Sequence, residues 1–444
     1  MLNSWYAELA WLGGEQAQQG VLIETAGERI QAVIPNVEPP DDAVRLAGLT
    51  VPGLANTHSH TFHRALRGRT QRGSGTFWTW RTQMYAVAGR LDPDTYYALA
   101  RATYAEMALA GITCVGEFHY LHHGPGGTPY PDPNAMAAAL IAAARDAGIR
   151  ITLLDTCYLT GGFGQGLEGV QVRFGDRTVD RWAERASLLS GAPHARIGAA
   201  IHSVRAVPAA DLSTVAGWAA ARAAPLHVHL SEQRAENDAC LAAHGCTPAE
   251  LLHSHGVLGA GCTAVHATHL TGADIALLGS TRTTTCLCPT TERDLADGIG
   301  PAMALTVAGS VLCLGSDSHA VIDLLEEARA VEMHQRLAAR TRGNWRPAEL
   351  LAAATATGHA ALGWPEGGRI EAGGLADFVT VRLDSVRTAG SDAATAVATA
   401  VFAATAADVR EVVVGGRLIV EEGRHVLVAD VPAALQASIA AVTS

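Results

Sequence analysis

Eight short apolar runs organise the middle of the sequence, and nearly all carry polar residues toward their C-terminal ends: GLANTHSH, ITCVGEFHY, RITLLDTCYL, RIGAAIHSVRAV, PLHVHLSEQ, CTAVHATHL, TRTTTCLCPT and VLCLGSDSH. Between them lie alanine- and leucine-rich stretches with helical periodicity that close on glycine, DPDTYYALARATYAEMALAG and PNAMAAALIAAARDAG among them. Strands alternating with helices predict a parallel sheet, and eight such units are what a (β/α)8 barrel needs. A doubly wound open sheet is the alternative, because periodicity does not report closure. The two chain ends read differently. WYAELAWL and GVLIETAGERIQAVIP near the start, with GGRIEAGGLADFVTVRL and VREVVVGGRLIVEEGR near the finish, are short β-branched segments bounded by Gly and Asp. They predict one small β domain assembled from both ends.

Polar residues gather at the C-terminal ends of the central runs: His58 and His60, His119, His202 and Arg205, His229 and Glu232, His266 and His269, Asp317 and His319. In a barrel that end of the strands is the mouth, where active sites are built.

Composition narrows the chemistry. The chain has 444 residues, 48% hydrophobic and 17% charged, enough to bury a large core. A formal net charge of -11 argues against a nucleic-acid partner but leaves room for a small anionic substrate in a locally positive pocket. Lysine is absent, so all 32 basic residues of the Lys and Arg count are arginines. Schiff-base chemistry on a side chain and a metal bridge through a carboxylated lysine are both excluded. The eight cysteines are scattered with no CxxC, as expected of reduced thiols in a cytoplasmic protein. The start has no basic region ahead of an apolar core, and no uninterrupted apolar span suits a membrane helix.

His58 and His60 leave the same face of an extended chain, because strand side chains repeat every two residues. With His229 and Asp317 they supply three nitrogens and a carboxylate, a donor set for catalytic zinc. His227 alternates with His229, and the pattern leaves the two as rivals. Asp317 follows a wholly apolar strand, where a carboxylate is costly unless paired or bound to a cation, and Ser316 or Ser318 is free to cap the next helix instead. Glu232 can carry a proton to a leaving nitrogen while the metal acidifies water. His266 or His269 can answer charge developing on oxygen. Together these imply attack of water on an sp² carbon that bears nitrogen, which covers amide hydrolysis, aromatic deamination and amidine deimination alike. Two arginines bear on the substrate. Arg205 ends IHSVR and Arg81 ends GSGTFWTWR, and each guanidinium fork suits a carboxylate. Tyr120 can hydrogen-bond a bound group, while Trp78 and Trp80 fit a lid, a core or an interface.

The order PGLANTHSH, HVHLSEQ, a strand carrying His266, then GSDSH resembles the amidohydrolase superfamily, in its zinc deaminase branch, over essentially the whole chain. The resemblance implies a (β/α)8 barrel over residues 51–365 and a small β-sandwich from residues 1–50 and 366–444. It also implies one zinc ion per chain held by His58, His60, His229 and Asp317, with Glu232, His266 and Asp317 catalytic. A single-metal branch needs no carboxylated lysine.

Within that branch EFHYLHH, AIHSVRAV and the HSHTFHRAL opening resemble the formimidoylglutamate deiminases of histidine degradation. The implied reaction converts N-formimidoyl-L-glutamate and water to N-formyl-L-glutamate and ammonia. Arg81 and Arg205 would bind the carboxylates of this small dianionic substrate, and His63, Tyr120 and His202 would also touch it. One position departs from that family, which carries glutamine where this chain has His63. An imidazole lacks the amide's paired donor and acceptor, so altered affinity or a related formimino or guanidino substrate is the expectation. A deaminase of nucleobase or triazine rings is the alternative enzyme. A non-catalytic metal-binding protein is the reading from a different class, and an intact donor set beside Glu232 and His266 counts against it. Alanine-rich helices and the FWTW segment permit a homodimer.

Overall fold

The computed structural model describes residues 2–71, 75 and 77–443; the side chain of Trp78 lies outside that description. Four strands open the chain: β1 (Leu2–Ala10), β2 (Gln18–Ala26), β3 (Arg29–Ile34) and β4 (Val44–Pro52). Eight follow, one from each apolar run: β5 (Leu54–Ser59), β6 (Ile112–His119), β7 (Arg150–Cys157), β8 (Ala195–Ile201), β9 (Leu226–Leu230), β10 (Cys262–His266), β11 (Thr284–Leu287) and β12 (Leu312–Leu314). Four close it: β13 (Phe378–Val381), β14 (Val409–Val414), β15 (Arg417–Glu421) and β16 (Arg424–His425).

Strands β5 to β12 pair side by side in chain order, and helices between them form the outer layer of a (β/α)8 barrel. The helix Pro93–Leu109 shows how local chemistry starts such a layer. Asp92 caps it by accepting the Thr95 N–H at 2.8 Å, Pro93 occupies its first turn, and Ala100, Ala102, Ala105 and Ala108 are buried along it. The barrel closes where β5 meets β12. Ser59 bridges Asp317, the Asp317 N–H donates to the His58 carbonyl at 3.0 Å, and a Cβ on Gly315 would stand 2.7 Å from that of His58. Asn56 clamps this seam, accepting the Ser316 N–H at 2.9 Å and donating to Ser316 Oγ at 2.7 Å.

β5 is irregular. Asn56 pairs with Val115 and Ser59 with Glu117, an advance of three residues against two, which is a bulge. It lets Asn56 meet Met107 of an outer helix at 3.8 Å while His58 turns to the barrel axis, its ring 4.9 Å from that of His229 on β9. The opposite end of the barrel is shut by residues 358–364. There His227 bonds the Ala361 carbonyl at 3.1 Å, and Thr152 donates to the Leu362 carbonyl at 2.7 Å.

The other strands form a second sheet from both chain ends, in the order β16-β15-β14-β13-β4-β1-β2-β3. β4, which the apolar pattern had not marked, sits between β1 and β13 and stitches the two ends together. Trp5, Ile23, Ile30, Leu46 and Phe378 fill its core, with the Trp5 and Phe378 rings edge to face at 5.5 Å. Arg150 at the foot of β7 fastens this sheet to the barrel through Asp377 at 2.7 Å and Glu28 at 2.9 Å. Among the described residues no helix is long and apolar enough to cross a membrane.

Candidate active site

At the open end of the barrel four side chains aim at one point. The Nε2 atoms of His58 and His60 stand 3.3 and 3.4 Å from Asp317 Oδ1, and those of His58 and His229 stand 3.1 Å apart. The backbone decides the tautomers. His60 Nδ1 faces the Phe118 carbonyl at 3.0 Å and His229 Nδ1 faces the His202 carbonyl at 2.8 Å. A carbonyl only accepts, so both Nδ1 atoms carry the proton and both Nε2 atoms present lone pairs. Burial holds His58 near 3 and pushes His60 and His229 below the usual imidazole range, the last with help from neighbouring imidazoles. All three are therefore neutral, the form that binds metal. Burial works against ionisation of Asp317, yet His58, His266 and His60 hold it well below the carboxylate range. Buried lone pairs converging on a carboxylate repel unless a cation sits among them, so this donor set fits a zinc ion. Iron or manganese also suits nitrogen and oxygen donors of this kind.

Beside this point stand an acid and a base of opposite tendency. Burial raises Glu232 to about 7; the charge of Asp317 adds to this and His266 opposes it. Burial would lower His266, but Glu232, Glu292 and Asp317 outweigh it and push the ring up to about 10. Its Nε2 lies 3.9 Å from Glu232 and 3.7 Å from Asp317, and its Nδ1 lies 3.5 Å from Glu292. His266 is thus an imidazolium at neutral pH, held between carboxylates. His266 and Asp317 both sit in the left-handed backbone region, at φ 69° and 42°, as few residues with a Cβ do. Such strained turns at strand ends are common where function requires a side chain to be aimed.

The same pocket, about 570 Å³ with its open mouth, is lined by His60, His229, Glu232, His266 and Asp317 and also by His63, Arg81, Tyr120, His202 and Arg205. His58 lies behind them, fully buried. Arg205 gives its Nε to Glu236 at 2.6 Å, and among the described residues its two terminal nitrogens bond nothing else. Arg81 stands on the helix Phe77–Ala88, 5.5 Å from the centre of the Tyr85 ring. His63 Nε2 and the Tyr120 hydroxyl are 3.0 Å apart, and Trp80 meets the His63 ring edge-on at 5.0 Å.

Other polar strand ends go elsewhere. His119 faces the outer layer beside His122, and His319 bonds Ser59 and Ser316 behind the metal-facing residues. His227 belongs to the shut end, and His269 is not among the residues lining the pocket. The structure also adds residues that the pattern did not mark. Tyr85, Tyr158 and Phe174 line the pocket from segments outside the strands, and Glu236 and Glu292 lie against Arg205 and His266. No periodicity betrays them: the three aromatic residues lie outside the strands, and each glutamate acts through a residue distant in the chain.

Residues 49–419 match the amidohydrolase family, and the chain belongs to it. It is a hydrolase of C–N bonds in small molecules, in a family whose members depend on metal. Among its relatives, the formimidoylglutamate deiminase of Pseudomonas aeruginosa is 35% identical over 438 residues, 96% of each chain. The 8-oxoguanine deaminase of the same organism is 30% identical over 391 residues, 85% of this chain and 84% of the other. A crystal structure of an amidohydrolase from Brucella melitensis superposes with a TM-score of 0.90 at 32% identity, covering 100% of both chains. A zinc-bound adenosine deaminase from Xanthomonas campestris shares the fold, with a TM-score of 0.85 at 23% identity over 99% of this chain and 97% of that one.

Proposed function

We propose that this protein is a zinc-dependent deiminase that hydrolyses N-formimidoyl-L-glutamate to N-formyl-L-glutamate and ammonia in histidine degradation. The observation that carries the reading is one pocket that brings His60, His229, Glu232, His266 and Asp317 together with two arginines, Arg81 and Arg205. His58, His60, His229 and Asp317 hold one zinc ion, whose contribution when bound is Lewis-acid chemistry that acidifies water and polarises the C=N group. Arg81 and Arg205 bind the two carboxylates and present the formimidoyl carbon to the floor of the pocket. Glu232 takes a proton from the attacking water and hands it to the departing nitrogen. The His266 imidazolium and the Asp317 carboxylate steer that proton traffic from either side of the reacting carbon. Water's oxygen bonds to that carbon and gives up both its protons in turn, the C–N bond breaks as the formyl C=O forms, and ammonia leaves carrying those two protons. Eight free cysteines suit a reducing compartment, the cytoplasm.

A second reading, deamination of an aromatic ring, has its own support in Trp80, Tyr85, Tyr158 and Phe174, which give the pocket faces on which a ring stacks. Ammonia release by zinc-loaded protein separates the two. N-formimidoyl-L-glutamate, a guanidino acid and 8-oxoguanine are run side by side, and fast turnover of the first is expected. Release from the ring compound alone would transfer the assignment to the second reading.

A further inference from the structure

Three segments carry the pocket wall away from the strand-end histidines: the helix Phe77–Ala88 with Arg81, the turn 119–124 with Tyr120, and the turn Gly169–Arg173 followed by Phe174. One buried side chain touches all three. Arg173 is 2% exposed. Its Nε donates to the His123 carbonyl at 2.9 Å, one terminal nitrogen to the Ala88 carbonyl, and the other to the Leu91 carbonyl at 2.6 Å. Its own carbonyl accepts the N–H groups of His122 at 3.1 Å and His123 at 2.9 Å.

Among the described residues no carboxylate comes within 4.0 Å of this guanidinium. A charge buried without a counter-ion is costly unless hydrogen bonds replace its hydration. Here carbonyls do so, and Ala88 ends the helix that bears Arg81. The last carbonyls of a helix lack internal partners and carry the negative end of its dipole, so a cation is stabilised there. A planar fork can span three carbonyls from three directions; an ammonium on a flexible stem cannot.

We propose that Arg173 is a positioning residue for substrate carboxylate recognition. It ties the Arg81 helix to the Tyr120 turn at a fixed separation, so the wall is pre-set when the substrate arrives. The proposal rests on the reading that Arg81 takes a substrate carboxylate.

The test compares zinc-loaded wild type with Arg173→Lys, and with Arg173→Met as the harsher change. Steady-state kinetics on N-formimidoyl-L-glutamate are read beside zinc content and amide hydrogen exchange. For Arg173→Lys, KM is expected to rise about tenfold, with kcat within about threefold and zinc unchanged, the signature of lost binding rather than lost chemistry. Exchange is expected to quicken in residues 79–91 and 119–124 together, while β9 stays protected. An unchanged KM, or faster exchange spread evenly through the barrel, overturns the proposal. Should wild type turn over no formimidoyl substrate, the functional reading fails on its own. The exchange experiment, which needs no substrate, then still decides whether Arg173 couples the two segments.

Discussion

Among the described residues two buried clusters of histidine and aspartate stand in this barrel, and they differ in one respect that decides their chemistry. At the mouth, Asp317 meets the imidazoles of His58, His60 and His266. In the outer layer His119, His122 and Asp155 also bring donor atoms close enough to share an ion, and His122 Nδ1 lies 4.0 Å from Asp155. There, however, Arg185 already covers both Asp155 oxygens at 2.8 and 2.9 Å, and Trp182 donates to the same carboxylate at 2.9 Å. Arg185 also binds Asp176 at 2.8 Å, and His123 reaches that carboxylate at 2.9 Å. The outer cluster owns its cation covalently. Among the described residues the mouth cluster has no arginine on its carboxylate: the His266 imidazolium stands 3.7 Å from Asp317 Oδ2, while Oδ1 faces the neutral rings of His58 and His60 and is left for a metal cation. Histidine and aspartate in proximity do not make a metal site; a carboxylate oxygen faced only by the lone pairs of neutral imidazoles does.

The contrast can be broken from either side. Asp317→Asn should strip the zinc and lower kcat/KM by about a thousandfold or more, read by metal analysis and kinetics. Retention of full zinc would refute the donor set. Arg185→Met leaves Asp155 and Asp176 buried without their partner and should cost about 3–5 kcal/mol of stability in denaturant unfolding, with zinc retained in the folded fraction. Arg205→Ala should raise KM for N-formimidoyl-L-glutamate about a hundredfold at nearly constant kcat, since the lost fork binds ground state and transition state alike.

The pH profile is a milder probe. Only ionised Glu232 can accept water's proton, so kcat/KM should climb with pH and then level. Burial sets this carboxyl near 7, and a bound cation lowers it, so the limb should lie at or below pH 7 and vanish in Glu232→Gln. A limb rising above pH 7 would assign it to another group. His119→Asn should be the smallest change: zinc content intact and activity within about threefold, because that ring lies outside the pocket. Loss of zinc there would erase the distinction between the clusters.

Much of this was legible from local pattern. The apolar runs mark all eight barrel strands, because a buried strand must be apolar and its helix must be amphipathic. The pairing of His58 with His60 on one face followed from the strand repeat. β4 escaped because GLTVP joins the next apolar run across Pro52 and Gly53 alone, so the two strands read as one run. The long-range side-chain contacts that matter escaped for a different reason. Arg185 and Asp155 are 30 residues apart, Arg205 and Glu236 31, and Arg173 and Ala88 85, so no local spacing announces them.

Residue types and their repeat were enough to establish the number of strand–helix units, the absence of any lysine chemistry, and the polar ends from which a site is drawn. They did not say which histidines face one another. That depended on the bulge in β5, on closure of β5 against β12, and on which carboxylates Arg185 claims. Each of these sets a side chain's direction or its charge partner through contacts between residues far apart in the chain, and such contacts exist only once the barrel has closed.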